Sequence, residues 1–273
     1  KRFMILKERR IKGELSDQIN RFLYVEAGAD EMREVKLLPT GFVYYTVILG
    51  TAGNYCRSDK CERLPQHFIG GQITASDVHL HPRNDYIHFG IEFRAWALQE
   101  YFNLNLENCE NTWKYSDDDF LLKINEIVRT EPFDFEKICD RLEKLFKSKT
   151  EQPKTIASRA ARKINAEKGK ITTKILADFY NLSERHFRRI FKKELGISPK
   201  SYAKITQLNT ALNALNRGEE SLNLDLVHQG GYYDQAHFIR RFKQMLGTTP
   251  REFLEEPDEF LETYLLRKEK AND

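Results

Sequence analysis

Apolar residues along this chain follow two different periods, and the change falls near residue 115. Before it, Phe42–Leu49 is a run of Val, Tyr, Thr and Ile, and Gln66–Thr74 and Tyr86–Phe93 have the same character. Each predicts an extended strand, with Gly50, Gly53, Gly70 and Gly71 as turn punctuation. Residues 1–115 therefore predict a small β-barrel or sandwich, closed by a short helix over Arg94–Phe102. Beyond residue 115 the spacing becomes three or four. Ser116–Asp119 caps a helix bearing Phe120, Leu121, Ile124, Ile127 and Val128, and Pro132 interrupts it. A second amphipathic helix follows, with Phe135, Ile138, Leu142, Leu145 and Phe146 on one face. This helical part, 116–150, either buries against the β-rich part or forms a dimer seam. Lys147–Lys154, polar and ending near Pro153, predicts a linker.

After the linker the chain repeats itself at an offset of 51 residues. His186–Pro199 aligns without a gap on His237–Pro250, with eight identities in fourteen positions. The identical pairs are His186/His237, Phe187/Phe238, Arg189/Arg240, Phe191/Phe242, Lys192/Lys243, Leu195/Leu246, Gly196/Gly247 and Pro199/Pro250. Each copy reads as a capped helix. Ser183 and Asp234 are N-caps, and Leu182 and Tyr233 before them are staples onto Phe187 and Phe238. Gly196 and Gly247 suit left-handed stops, and Ser198–Pro199 and Thr249–Pro250 each start a further helix. Phe187, Ile190 and Phe191 face inward, as do Phe238, Phe242 and Leu246. Arg185, Arg189 and Lys192 face outward with Arg188 at the border; in the second copy Ala236, Arg240 and Gln244 do so, flanked by Lys243.

A shorter helix precedes each copy. Thr172–Phe179, bearing Ile175, Leu176 and Phe179, leads through the turn Tyr180–Leu182; Leu222–Gln229 leads through Gly230, Gly231 and Tyr232. Helix, tight turn, capped helix is the helix-turn-helix plan, whose second helix enters the major groove. The connector from Pro199 to Arg217 spans roughly 27 Å at 1.5 Å per residue. That length places two recognition helices near one DNA turn, about 34 Å, apart.

Charge sharpens this picture. The net charge of +3 conceals +8 over residues 153–256, against −3 over 1–152 and −2 over 257–273. A concentrated basic excess favours a polyanionic partner. Within the basic segment, residues 153–210 carry +10 and 211–256 carry −2, so the first unit is expected to supply most of the salt-dependent affinity.

Residues from about 157 to 254 resemble the AraC/XylS transcription regulators. The resemblance rests on Leu176-Ala177, Leu182-Ser183, Arg189-x-Phe191-Lys192 and Gly196-x-Ser198-Pro199 in the first unit. In the second it rests on Gly231-Tyr232, Asp234–Phe238, Arg240-x-Phe242-Lys243 and Gly247-x-x-Pro250. Three residues depart from the family pattern: Gln207 stands for Arg, Asn181 for the turn Gly, and Val227 for Ala. The resemblance implies an α+β chain, with an N-terminal effector-binding or dimerisation domain over 1–150, a DNA-binding domain over 153–256, and a helical tail over 257–273. It places the base-reading positions on Arg185, Arg188 and Arg189 in unit one and on Gln235, Ala236 and Arg240 in unit two. The chemistry agrees: Arg forks onto guanine, Gln onto adenine, and Ala meets a thymine methyl. Lys192 and Lys243, one turn further, are expected on phosphates, and His186 and His237 as structural groups. Double-stranded DNA, a small-molecule effector, a second copy of the chain and RNA polymerase are the implied partners. The protein is expected to be an activator, with no catalytic residue and no cofactor.

Other chemistry is thinner. His79-x-His81 with Asp85, and His67 and His88 as additions, gives a weak metal motif that is more simply read as structural. A cupin-like metalloenzyme or a protein-interaction domain fused to the same DNA-binding module is the alternative. Cys56, Cys61, Cys109 and Cys139 lack the clustering of a zinc site or of a DNA-repair methyltransferase, and fit a reducing cytoplasm. No apolar run approaches the roughly 18–20 residues of a membrane span, and Phe3–Leu6 is too short for a secretion signal. The aromatic residues before residue 147 either line a ligand pocket or build a β core.

Overall fold

Two antiparallel sheets form the N-terminal part of the computed structural model, which describes residues 5–27, 34–83, 85–149, 154–216 and 231–255. The larger sheet has six strands: β1 (Ile5–Arg10), β2 (Ile19–Ala27), β4 (Phe42–Ile48), β7 (His67–Gly70), β9 (Tyr86–Arg94) and β10 (Trp113–Lys114), in the order β1-β2-β9-β4-β7-β10. The smaller has β3 (Val35–Lys36), β5 (Asn54–Arg57), β6 (Lys60–Arg63) and β8 (Val78–His81), in the order β3-β8-β5-β6. The sheets do not close into a barrel, so of the two predicted forms the sandwich-like one is found. Strand β9 runs through Arg94, which pairs with Phe42, so the helix predicted from Arg94 starts later, as α1 (Ala97–Phe102). The extended run predicted over Gln66–Thr74 narrows to β7.

The six-stranded sheet is covered on both faces, which explains why its strands read as apolar runs rather than alternating ones. On one face Val43, Tyr45, Val47, Ile69, Phe89, Ile91 and Phe93 pack against α1, α2 (Asp119–Val128) and α3 (Phe135–Ser148). Asp118 and Asp134 cap α2 and α3 by accepting from backbone N–H groups. Of the two fates open to this helix pair, burial on the sheet is the one observed: Leu121, Ile124, Val128, Ile138, Leu142 and Phe146 are all buried. The Tyr45 hydroxyl donates to the Leu121 carbonyl at 2.9 Å, tying helix to sheet.

The opposite face, one residue out of phase along each strand, looks toward the smaller sheet. Here Leu23, Tyr44, Phe68 and Tyr86 border an apolar cavity of about 110 Å³, which Val35, Lys36 and Tyr55 complete from the smaller sheet. Most rings build the core, and a few line the cavity. His88 also faces this space, and burial pushes its imidazole down to about 4. A histidine held neutral in the fold stabilises it above the unfolded value of 6.5, and that stability is lost as pH falls from there toward 4. His88→Leu is expected to flatten the urea midpoint against pH across this window; a wild-type slope in the variant would refute it.

The remaining predicted chemistry in this part is dispersed. His79 and His81 flank the Glu34 carboxylate, whereas His67 lies under Tyr45 and Tyr115 on the other side of the main sheet. His67 and His88 thus do not join the pair, because β7 and β9 belong to the larger sheet and β8 to the smaller. Cys56 and Cys61, directly opposite each other in the β5–β6 register, form a disulfide, a bond not expected of cysteines read as fitting a reducing cytoplasm; Cys109 and Cys139 are buried and free. No described helix is long and apolar enough to cross a membrane.

The helical part follows: α4 (Ile156–Ala166), α5 (Thr173–Phe179), α6 (Glu184–Leu195), α7 (Pro199–Asn216), α8 (Gln235–Leu246) and α9 (Pro250–Glu255). Its core is continuous with the sheet domain through Leu38, Ala95 and Trp96. Arg162 on α4 is the main polar attachment. Its guanidinium lies 4.6 Å from the Trp96 ring centroid and bonds to Glu100 at 2.7 Å and Asp17 at 2.6 Å. Trp96 Nε1 in turn donates to the Asp17 carbonyl at 2.7 Å. Burial pushes the Asp17 carboxyl up, but Arg162 and Lys154 hold it below its ordinary value.

Candidate nucleic-acid interface

The internal repeat is obeyed at the level of single hydrogen bonds. Ser183 Oγ accepts the His186 N–H at 3.3 Å, and Asp234 Oδ1 accepts the His237 N–H at 2.7 Å. Gly196 (φ 83°) and Gly247 (φ 76°) end the two helices in the left-handed region, and their N–H groups donate to the carbonyls of Lys192 and Lys243. A glycine carries this conformation without the steric cost another residue meets. Ser198 caps α7 by accepting from Ser201, and Thr249 with Glu252 makes a reciprocal capping box at α9. Thr172 caps α5, and Asn181 takes φ 55° in the turn between α5 and α6. Asparagine tolerates that region better than most residues, so the departure from glycine leaves a left-handed turn in place. The helix predicted at Leu222–Gln229, with Val227, lies outside the described residues, as does the tail over 257–273.

Each recognition helix divides into two faces. Phe187, Phe191 and Leu195 are fully buried, as are Phe238 and Phe242, while Ile190 is half-buried. Arg185, Arg188, Arg189 and Lys192 are exposed on α6; Gln235, Ala236, Arg240 and Lys243 are exposed on α8. Arg188 pairs with Glu184 one turn earlier, and Arg189 meets His186 Nδ1 at 3.2 Å. Arg185 and Arg240 make no hydrogen bond or ion pair among the described residues. The structure therefore brings the six base-reading candidates onto equivalent outward faces of two helices.

Two packing expectations are corrected. Tyr233 is 86% exposed, so it is no staple; Gly231 at φ 73° turns the chain so that Tyr232 packs on Phe238 instead, with ring centroids 5.0 Å apart. Tyr232→Ala is expected to cost about 3 kcal/mol, and Tyr233→Ala no more than about 0.5 kcal/mol, in chemical denaturation; equal costs would refute the assignment. On α5, Leu176 and Ala177 are buried, whereas Ile175 and Phe179 are more than half exposed. Phe179 has become a surface partner of Lys163 and Tyr180.

Both helix stops rest on the sheet domain. The Leu106 N–H donates to the Lys193 carbonyl at 2.8 Å, beside Gly196, and Lys36 Nζ donates to the Leu246 carbonyl at 2.6 Å, beside Gly247. Sequence reasoning missed these anchors, and it also missed Lys200, Lys204 and Arg241, which line a cleft between the first unit and α8. The spacing of Lys200 and Lys204, one helical turn apart, was a signal for the latter. Gln207 lines the same cleft.

This geometry defines one helix-turn-helix unit, α5 with α6, and a second capped helix, α8, built like α6. The profile of the family described as Helix-turn-helix domain matches residues 176–256. The HTH-type transcriptional activator RhaS is 30% identical over 87 residues, both in Escherichia coli O9:H4 (strain HS) and in Escherichia coli (strain K12 / DH10B). That alignment covers 32% of this chain and 31% of the relative, so the chain spans about a third of the length of the curated relatives it matches. Among solved structures, ToxT from Vibrio cholerae is 12% identical with a TM-score of 0.48, covering 86% of this chain and 97% of that one. The C-terminal domain of AraT, a response regulator from Geobacillus stearothermophilus, is 25% identical with a TM-score of 0.35, covering 38% and 88%. Residues 176–256 therefore match a helix-turn-helix domain.

Proposed function

We propose that the protein is a sequence-specific DNA-binding transcription regulator, an activator, that inserts α6 and α8 into successive major grooves on one face of the duplex. The observation that carries this reading is the pair of outward faces, which share two repeat-equivalent positions, Arg185 with Ala236 and Arg189 with Arg240. Arg185, Arg188 and Arg189 stand on one, Gln235, Ala236 and Arg240 on the other, all exposed behind buried aromatic rows. Lys192 and Lys243 extend each face toward the phosphates. Selection of bound duplexes from random DNA, followed by footprinting, tests it. Two short preferred blocks about one helical turn apart are the expected result; binding without sequence preference would overturn it.

The N-terminal domain, over 1–150, is proposed as the regulatory part, and the apolar cavity between its sheets supports a small apolar effector. Lys36 borders that cavity and also bonds to the end of α8, so an occupant that displaces its ammonium alters how the second recognition helix is held. Thermal-shift screening of the full chain against small apolar metabolites identifies such a ligand. Dimer formation and contact with RNA polymerase belong to the same proposal.

A further inference from the structure

Between the first helix-turn-helix unit and α8 lies a cleft of about 430 Å³, floored by α7 and walled by α8 and the start of α5. Its lining is cationic. Lys200 and Lys204 come from α7, Arg241 from α8, Arg188 from α6 and Lys174 from α5. The one carboxylate among the described lining residues, Glu184, is paired with Arg188. Arg241 donates to Gln244 Oε1 at 2.8 Å and to His237 Nε2 at 3.5 Å, and meets no carboxylate among the described residues. Burial, then repulsion from Arg241 and Lys200, pushes the half-buried Lys204 ammonium below its ordinary value. Among the described residues the cations of this recess outnumber its one carboxylate; like charges so gathered repel one another, and an anion seated among them relieves that cost.

We propose that this cleft, through Lys200, Lys204 and Arg241, is a phosphate-binding site for the DNA strand that passes between the two recognition helices. The proposal rests on the regulator reading above. If α6 and α8 occupy successive major grooves, the duplex crosses α7 at the intervening minor groove, where a sugar-phosphate strand is the surface nearest the connector. Ammonium and guanidinium groups recessed behind the recognition helices meet phosphate oxygens and not base edges, so they position the protein without reading sequence. These residues are distinct from Lys192 and Lys243, which lie on the recognition helices themselves.

The test measures affinity of the full chain for a selected duplex and for an unrelated duplex across a salt series. The proteins are wild type, Lys204→Ala, Arg241→Ala, the double variant, and Lys137→Ala on α3 as control. Removing one cation that neutralises a phosphate lowers the slope of log affinity against log salt by about 0.9. Each single variant is therefore expected to lose about one unit of slope, the double variant about two, and equally on both duplexes. Lys204→Arg and the control are expected to keep the wild-type slope. Circular dichroism and thermal unfolding establish that each variant is folded, and Arg241→Gln replaces Arg241→Ala if the latter is not. A wild-type slope in the folded double variant overturns the proposal while leaving the regulator reading intact. A second arm adds inorganic phosphate or pyrophosphate without DNA. If the anion raises the unfolding temperature of wild type but not of the double variant, and the DNA slopes stay unchanged, the cleft takes a free phosphate and the assignment to the DNA backbone is overturned. Failure of wild type to bind any duplex overturns both readings.

Discussion

Arg162→Ala is expected to destabilise the protein by about 3 kcal/mol, the cost of leaving a buried carboxylate without its partner. The side chain of Glu100 is only 1% exposed, and Arg162 is the cation it meets. The same substitution removes the cation stacked on Trp96 and releases Asp17. The urea midpoint reads the loss. The distinguishing measurement is the double variant Arg162→Ala/Glu100→Ala, which is expected to be more stable than Arg162→Ala alone, because deleting both partners leaves no charge stranded. A single variant within about 1 kcal/mol of wild type, or a double variant that is worse than the single, would show that the domains are held together by the apolar contact alone.

The second large effect concerns binding. Arg189→Ala is expected to weaken binding to the selected duplex by about 10- to 100-fold, the loss of one forked guanine pairing. Arg240→Ala is expected to weaken it less, because its unit carries a net negative charge while the first carries +10 over residues 153–210. The comparison is a titration at several salt concentrations. If the Arg240 variant loses more than the Arg189 variant at each salt, the second unit carries the affinity and the ranking is reversed. Neither side chain supports the fold, since both stand exposed on the side of the helix away from the buried phenylalanines. Stability is expected to stay within about 0.5 kcal/mol of wild type.

What the sequence made legible follows from which interactions are local. Caps, left-handed stops and a buried stripe at helical spacing act within a few residues, so α6 and α8 and their exposed faces could be placed from letters alone. Tyr233 failed because its role depends on the direction in which Gly231 turns the chain, which residue spacing does not encode. Ile175 and Phe179 failed because a seven-residue helix has room for few inward positions, and Leu176 and Ala177 take them. The strands β4, β7 and β9 were visible as β-branched and aromatic runs, but their order in two sheets is set by pairings between distant segments. Arg162 and the cleft lysines escaped notice for the same reason: their meaning lies in partners from other elements. The Cys56–Cys61 bond was hidden by its surroundings rather than by distance, since only the hairpin brings those positions opposite each other.

The grip of the sheet domain on both helix stops has a geometric consequence. Leu106 and Lys36 clasp α6 and α8 beside matching glycines, so the two arms are fixed to one frame near the same joint. Such a caliper is set by the width of its frame and does not stretch to suit its object. One added base pair between the two blocks of an operator turns the far block by roughly a tenth of a revolution and shifts it about 3.4 Å. A protein with loosely hinged arms absorbs that change; one clamped at both joints leaves the second arm off its target.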